Sequence, residues 1–206
     1  MIAPLEFTAA LERLDIRFVT GVPDSLLKDV CACLTARFPP PRHVIATNEG
    51  SAAGLAIGHY LATGRPALVY MQNAGLGNVV NPIVSLADPQ VYGVPMVLMV
   101  GWRGEILADG HQLHDEPQQV KQGQIPLAQL DLLGSPFRVV DNQTGAIEPL
   151  LRELVDLALS KQCPVALVVR KQSFAPFPLP ATEGHGPLTR EEAIQALIAA
   201  LPPDVP

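Results

Sequence analysis

Apolar and polar positions along this chain alternate between two rhythms. Residues 4–14 carry Leu5, Phe7, Ala10, Leu11 and Leu14 at helical spacing, and residues 17–20 follow as a short strand. A turn then leads into a helix over about 25–37, and Phe38-Pro39-Pro40-Pro41 forms a stiff connector. Residues 43–46 read as a second strand, 49–63 as a helix, 66–71 as an apolar strand buried on both faces, and a further helix starts near 76. Residues 94–100 give a fourth strand and 126–133 a short helix. Residues 137–140 are a strand, 145–160 an amphipathic helix and 164–169 the last strand. Strand and helix alternating in this way predict an α/β fold: a doubly wound, mainly parallel sheet of about six strands with helices on both faces. No internal repeat is visible.

Composition fits that picture. The chain has 206 residues, 48% of them hydrophobic, so one core-forming domain with an appendage is expected. The domain is expected over 1–172, a Pro- and Gly-rich linker over 173–187, and a new helix opening a further domain over 188–206. Thr189 serves as its cap, with Glu192 three residues on. The net charge of −6, without a long basic run, argues against nonspecific nucleic-acid binding, which leans on Lys and Arg at phosphates. Cys31, Cys33 and Cys163 make no disulfide framework and read as reduced thiols. With no Lys- or Arg-led apolar leader and no apolar run near the ~20 residues that span a bilayer, a cytoplasmic protein without membrane contact is expected.

Candidate chemistry gathers where strands give way to helices, since open parallel sheets bind ligands at the carboxyl ends of their strands. Asp24 follows the first strand and is placed to cap the next helix. Asn48-Glu49 stands at the next such junction; there Asn48 caps and Glu49 is favoured by the helix dipole, or Glu49 faces a ligand. The helix behind it, with Gly50, Gly54 and Gly58, carries little bulk. Each glycine costs a helix ~1 kcal/mol against Ala, so close approach of another backbone is expected there. Gln72-Asn73-Ala74-Gly75-Leu76-Gly77-Asn78 forms the third junction; it is neither a Walker loop nor a complete dinucleotide fingerprint. Between Gly101 and Gln124 the apolar pattern stops. That stretch holds Arg103, His111, His114, Asp115, Glu116, Lys121 and the only Trp, and is long for a structureless connection. His111 and His114 lack clean metal-ligand spacing.

Asn48-Glu49-Gly50-Ser51-Ala52-Ala53 followed by Gln72 to Asn78 resembles the pyrimidine-binding domain of thiamine-diphosphate enzymes. Within these it is most similar to decarboxylases acting on phosphonopyruvate and sulfopyruvate. Gly21-Val22-Pro23-Asp24-Ser25, Gly101-Trp102-Arg103-Gly104-Glu105 and Asp115-Glu116-Pro117-Gln118 extend the resemblance over roughly residues 5–180. It implies the thiamine-diphosphate-binding fold, with thiamine diphosphate as cofactor and Mg2+ held by a diphosphate-binding domain absent from this chain. It implies catalytic roles for Glu49, Asp24 and His114, and cofactor contacts from Glu49, Gln72, Asn73 and Gly75. Substrate contacts are implied for Ser25, Arg103, His111 and Lys121, with Arg103 or Lys121 pairing with the phosphonate. The partners implied are a 2-oxo acid, a diphosphate-binding domain or subunit, and further copies in a homo- or hetero-oligomer. Decarboxylation of phosphonopyruvate is the leading expectation; sulfopyruvate decarboxylation, an acetolactate-synthase-like carboligase and a non-enzymatic assembly module are the alternatives. The sequence departs from the family where Asp-Glu-Pro-Gln-His is usual, since Gln119 stands in the histidine's place, and residues 106–113 look altered.

Overall fold

The structure is a computed structural model describing residues 1–178 and 188–202. Its centre is a sheet of six parallel strands: β1 (Val19–Gly21), β2 (His43–Ile45), β3 (Leu68–Gln72), β4 (Met96–Gly101), β5 (Phe137–Val140) and β6 (Pro164–Val169), in the order β2-β1-β3-β4-β6-β5. The chain leaves β1 outward to β2 and returns on the other side of β1 to form β3. The β1–β3 junction is therefore the switch point where a crevice opens at the carboxyl edge.

Alternation along the strands sorts two cores. Leu68 and Tyr70 of β3, Val97 and Met99 of β4 and Val165 and Leu167 of β6 face α1 (Pro4–Arg13), α2 (Lys28–Arg37) and α7 (Ile147–Lys161). Val69, Met71, Leu98, Val100, Ala166 and Val168 face α3 (Glu49–Thr63), α4 (Leu76–Pro82) and α6 (Pro126–Leu132). On α3 the buried residues are Ala52, Ala53, Ala56 and Ile57, so this helix lies close on the sheet.

Several boundaries differ from expectation. β1 starts two residues later than expected and ends one later, at Gly21, which pairs with Ile45 and Tyr70; a methyl group at Gly21 would meet Tyr70 Cγ at 2.6 Å. α2 begins at Lys28 with Leu27 as its cap, so Asp24 is not the N-cap of this helix. The expected close approach to the glycines of α3 is met only at Gly50, where a methyl would lie 3.0 Å from the Asn78 carbonyl; Gly54 and Gly58 face open space. α4 continues after Pro82 as a π-turn, Ile83–Ala87.

Residues 173–177, at the start of the expected linker, contact the domain. Phe174 bridges to Ile2 and stacks edge-on against Phe7, Ser173 is buried, and the amide of Phe177 donates to Asp29. The rest of the expected linker, 179–187, and residues 203–206 lie outside the described residues. α8 (Arg190–Ala200) carries the expected capping box: Thr189 accepts from the Glu192 amide and Glu192 accepts from the Thr189 amide. Among the described residues no helix is long and apolar enough to cross a membrane.

Candidate functional site

At the mouth of β2, Asn48 caps α3 by accepting from the Ser51 amide at 2.8 Å, which sets Glu49 in the first turn. The Glu49 carboxylate is half-buried. Its Oε2 accepts from Asn78 Nδ2 at 2.7 Å, and among the described residues Oε1 accepts no hydrogen bond. The carboxylate lies over Gly75, where an added methyl would sit 2.6 Å from Oε1 and Cγ. Two sequence junctions separated by a whole helix and strand thus meet, with Glu49 occupying space that only a glycine leaves.

At the switch point itself, Asp24 is buried and accepts from Gln72 Nε2 at 2.9 Å through Oδ1. Gln72 Oε1 in turn accepts from Gln119 Nε2 at 3.1 Å. Burial pushes the Asp24 carboxyl above the usual carboxylate range, against the opposing pull of the Gln72 amide and, more distantly, the Arg103 guanidinium. Asp24 Oδ2 and Gln119 Oε1 are buried and, among the described residues, have no hydrogen-bond partner. Gly101 lets Asp24 in, since a methyl there would collide with Oδ2.

The 101–124 stretch is not a structureless loop. Ile106 and Gln112 pair as a short hairpin, and α5 (Gln119–Gln122) follows. Asn73, fully buried, donates to the carbonyls of Arg103 (3.1 Å) and Gln122 (2.9 Å) and accepts from the Arg103 amide. Trp102 Nε1 donates to Gly123 at 2.8 Å, and Gln112 Nε2 donates to Gly104 at 2.8 Å and Val120 at 2.9 Å. The order is polar, made of side chain to backbone bonds, and so leaves no apolar period in the sequence.

Arg103 is bound to Asp115 in a bidentate pair that holds the Asp115 carboxyl below its ordinary range. Beside it, Ser25, Leu26, Arg103, His114, Asp115 and Lys171 line a cavity of about 220 Å³. His111 lies on a neighbouring open cavity of about 750 Å³ that shares His114 and Asp115. Lys121 is exposed and lines neither.

The structure therefore brings Glu49 to Gly75, Asp24 to Gln72, and Ser25 to Arg103 and His114. It commits the Asn73 side chain to holding the loop and leaves Lys121 apart. Sequence reasoning did not assign Asn78, Gln119 or Lys171 to the site. Asn78 carried a signal as the last residue of the third junction, and Gln119 as the residue standing where a histidine is usual.

The donor set fits the aminopyrimidine part of thiamine diphosphate: an unpartnered carboxylate oxygen is available to a ring nitrogen, and Gly75 removes the side chain that would block approach. Among the described residues no three His, Cys, Asp or Glu side chains gather as a metal set.

A family model described as thiamine pyrophosphate enzyme, N-terminal TPP binding domain, matches residues 6–122. Phosphonopyruvate decarboxylase of Streptomyces viridochromogenes is 28% identical over 220 residues, covering 99% of this chain and 53% of that protein. The sulfopyruvate decarboxylase alpha subunit of Methanothermobacter thermautotrophicus is 32% identical over 161 residues, 78% of this chain and 91% of that subunit. The chain spans about half the length of the phosphonopyruvate decarboxylases it matches. Benzoylformate decarboxylase from Polynucleobacter necessarius shares the fold with a TM-score of 0.59 at 16% identity, over 87% of this chain and 32% of that one. A thiamine diphosphate-dependent 4-hydroxybenzoylformate decarboxylase of Rhodococcus jostii does so at 0.57 and 19%, over 95% of this chain and 36% of that one.

Proposed function

The chain belongs to the thiamine pyrophosphate enzymes, as their N-terminal TPP binding domain, and from that premise we propose that it is the pyrimidine-binding half of a thiamine-diphosphate-dependent 2-oxo acid decarboxylase. Phosphonopyruvate is the leading substrate, giving phosphonoacetaldehyde and carbon dioxide, with sulfopyruvate second. The observation that carries this reading is the Glu49 carboxylate, held at Oε2 by Asn78 and lodged over Gly75, with Oε1 bonded to none of the described residues. Relatives of both kinds support it: single-chain phosphonopyruvate decarboxylases of which this chain matches about half, and a separate sulfopyruvate decarboxylase alpha subunit that it nearly spans.

Thiamine diphosphate, when bound, supplies the electron sink that a 2-oxo acid needs to lose carbon dioxide. Glu49 would hold the aminopyrimidine through Oε1, the oxygen free to share a proton with a ring nitrogen, while Asn78 fixes Oε2. Asp24 presents a buried carboxyl to the crevice that can hold or release a proton there. Lys171, together with Ser25 and His114, binds the second anionic group of the substrate in the small cavity. Arg103 is already neutralised by Asp115 and shapes that cavity. The diphosphate and Mg2+ are held by a diphosphate-binding domain, in the same polypeptide or in a partner subunit. Assembly places the exposed glycine face of α3, at Gly54 and Gly58, against another subunit, in a reducing cytoplasmic setting suited to the free cysteines.

The test is decarboxylation of phosphonopyruvate, sulfopyruvate and pyruvate with thiamine diphosphate and Mg2+, by this chain alone and with a diphosphate-binding chain. Aldehyde formed only in the completed enzyme is the expected result. A carboligation product from pyruvate would move the assignment to an acetolactate-synthase-like enzyme. No turnover of any 2-oxo acid by a cofactor-loaded complex would leave an assembly module.

A further inference from the structure

We propose that Gln119 is a positioning residue of this site: by donating to the carbonyl of Gln72 it fixes the Gln72 amide toward Asp24, and so decides which form of the Asp24 carboxyl is favoured in the crevice. The inference rests on reading Asp24 as facing substrate in a decarboxylase.

The two ends of a glutamine amide are nearly alike in shape, so only its neighbours decide which way it faces. Gln72 stands between one donor and one carboxylate. Gln119 Nε2 claims its carbonyl at 3.1 Å, which leaves its NH2 for Asp24 Oδ1 at 2.9 Å. An NH2 opposite a carboxyl favours the ionised form; a carbonyl there would require a proton on Oδ1. Burial pulls the other way, so the relay holds Asp24 between opposing influences.

Gln119 is itself held. It is buried in α5, which is tied down by Asn73 at Gln122 and by Trp102 at Gly123. Its own Oε1 is buried with no partner among the described residues, a cost to stability that a Leu or Met of similar size would avoid. A polar side chain at this position therefore serves something other than packing, and the bond its side chain makes among the described residues is the donation to Gln72. The backbone amides of Leu26 and Ser25 also favour the ionised Asp24, but neither bears on which way the Gln72 amide faces, and the other groups nearby do not replace Gln119. Arg103, beyond β4, is paired with Asp115. Cys31, on α2, has its thiol pushed up to about 12 by burial. Lys28 on α2 and Tyr70 on β3 share with Asp24 an open, mainly apolar cavity.

The experiment follows the Asp24 carboxyl by 13C NMR titration in the 206-residue chain, for the parent and for Gln119→Met, Gln119→His and Gln119→Glu. In Gln119→Met the Gln72 amide is free to turn when Asp24 takes up a proton. The midpoint should rise by about one pH unit, a tenfold gain in proton affinity. Gln119→His, which keeps an N–H donor, should restore the parent midpoint. Gln119→Glu, which puts an acceptor against the Gln72 carbonyl, should raise it at least as far as Met and provides the test if Met does not fold. A folded Met or Glu variant titrating like the parent overturns the proposal. In the completed enzyme, the acid limb of the kcat profile should move with the NMR midpoint while KM changes little. An NMR shift without movement of that limb would keep the relay and refute the catalytic reading of Asp24.

Discussion

Replacing Gly75 with Ala tests whether the position of Glu49, and not merely its presence, matters. Gly75 has φ −69° and ψ −16°, a conformation open to any residue, so the backbone bears no strain. A methyl there would sit 2.6 Å from Glu49 Cγ and Oε1 and 2.7 Å from Cδ. Ordinary carbon contacts are ~3.5–4.0 Å, so the carboxylate must retreat by about 1 Å. Glu49 is half-buried and swings outward, giving up its bond to Asn78 for water. That costs ~1 kcal/mol, and Ala is a somewhat poorer N-cap than Gly, leaving stability within about 2 kcal/mol of the parent. A 1 Å misplacement of a positioned group costs ~100-fold in rate, or about 2.7 kcal/mol of barrier. The assay is kcat/KM for decarboxylation in the enzyme completed with a diphosphate-binding chain, alongside urea unfolding of this chain followed by the buried Trp102. Glu49→Gln should abolish turnover while the chain still folds. Gly75→Ala added to Glu49→Gln should then cost little more, since both act through one group. If Gly75→Ala keeps kcat/KM within about threefold of the parent, the seat of Glu49 over Gly75 is not what positions it.

Other expectations follow from the same geometry. Asn73→Ala removes three hydrogen bonds between the end of β3 and the folded loop and strands buried carbonyls; urea unfolding should show a loss of ~2–4 kcal/mol. Asp24→Asn should gain stability over the parent as pH rises. The raised folded-state carboxyl contributes fully below the ordinary value of 3.8 and loses that contribution as pH climbs through its folded midpoint, so the two proteins should converge near pH ~3.5 and separate by pH ~7.5 in urea titrations. Lys171→Met should raise KM for phosphonopyruvate ~10–100-fold, as expected for one charge-assisted bond, and leave pyruvate turnover nearly unchanged; equal effects on both would remove Lys171 from the anion site. Gly54→Ala should stabilise the isolated chain by ~0.5–1 kcal/mol, since its methyl meets nothing, yet weaken assembly measured by sedimentation if α3 packs on another subunit.

Much of the fold was legible because it rests on local rhythm. The runs over 68–72, 96–101 and 164–169 are almost wholly buried, and 4–13 and 147–161 carry helical stripes, so a parallel sheet covered on both faces followed from pattern alone. Asn48 and Thr189 acted as the caps their neighbours implied, because a cap is a bond between residues a turn apart. Glu49 and Gly75 were legible as separate junctions. Asp24 read as a cap from its local pattern and as a catalytic residue only through the family resemblance; α2 starts too late for the cap, and the return of β3 next to β1 brings Gln72 within 2.9 Å of it.

The loop from 101 to 124 marks the limit. Hydrophobic burial is periodic and leaves a trace along the chain. The bonds of Asn73, Trp102 and Gln112 join side chains to backbone groups 8 to 49 residues away in sequence and leave none. Sequence by itself determined the elements, the two faces of the sheet and the residue types at its carboxyl edge. Tertiary structure alone decided which of them meet: that Glu49 fits over a missing side chain, that Gln119 reaches Asp24 through Gln72, and that Lys171 rather than Lys121 joins Ser25 and His114. The physical reason is that strand order, not chain order, sets the neighbours at that edge.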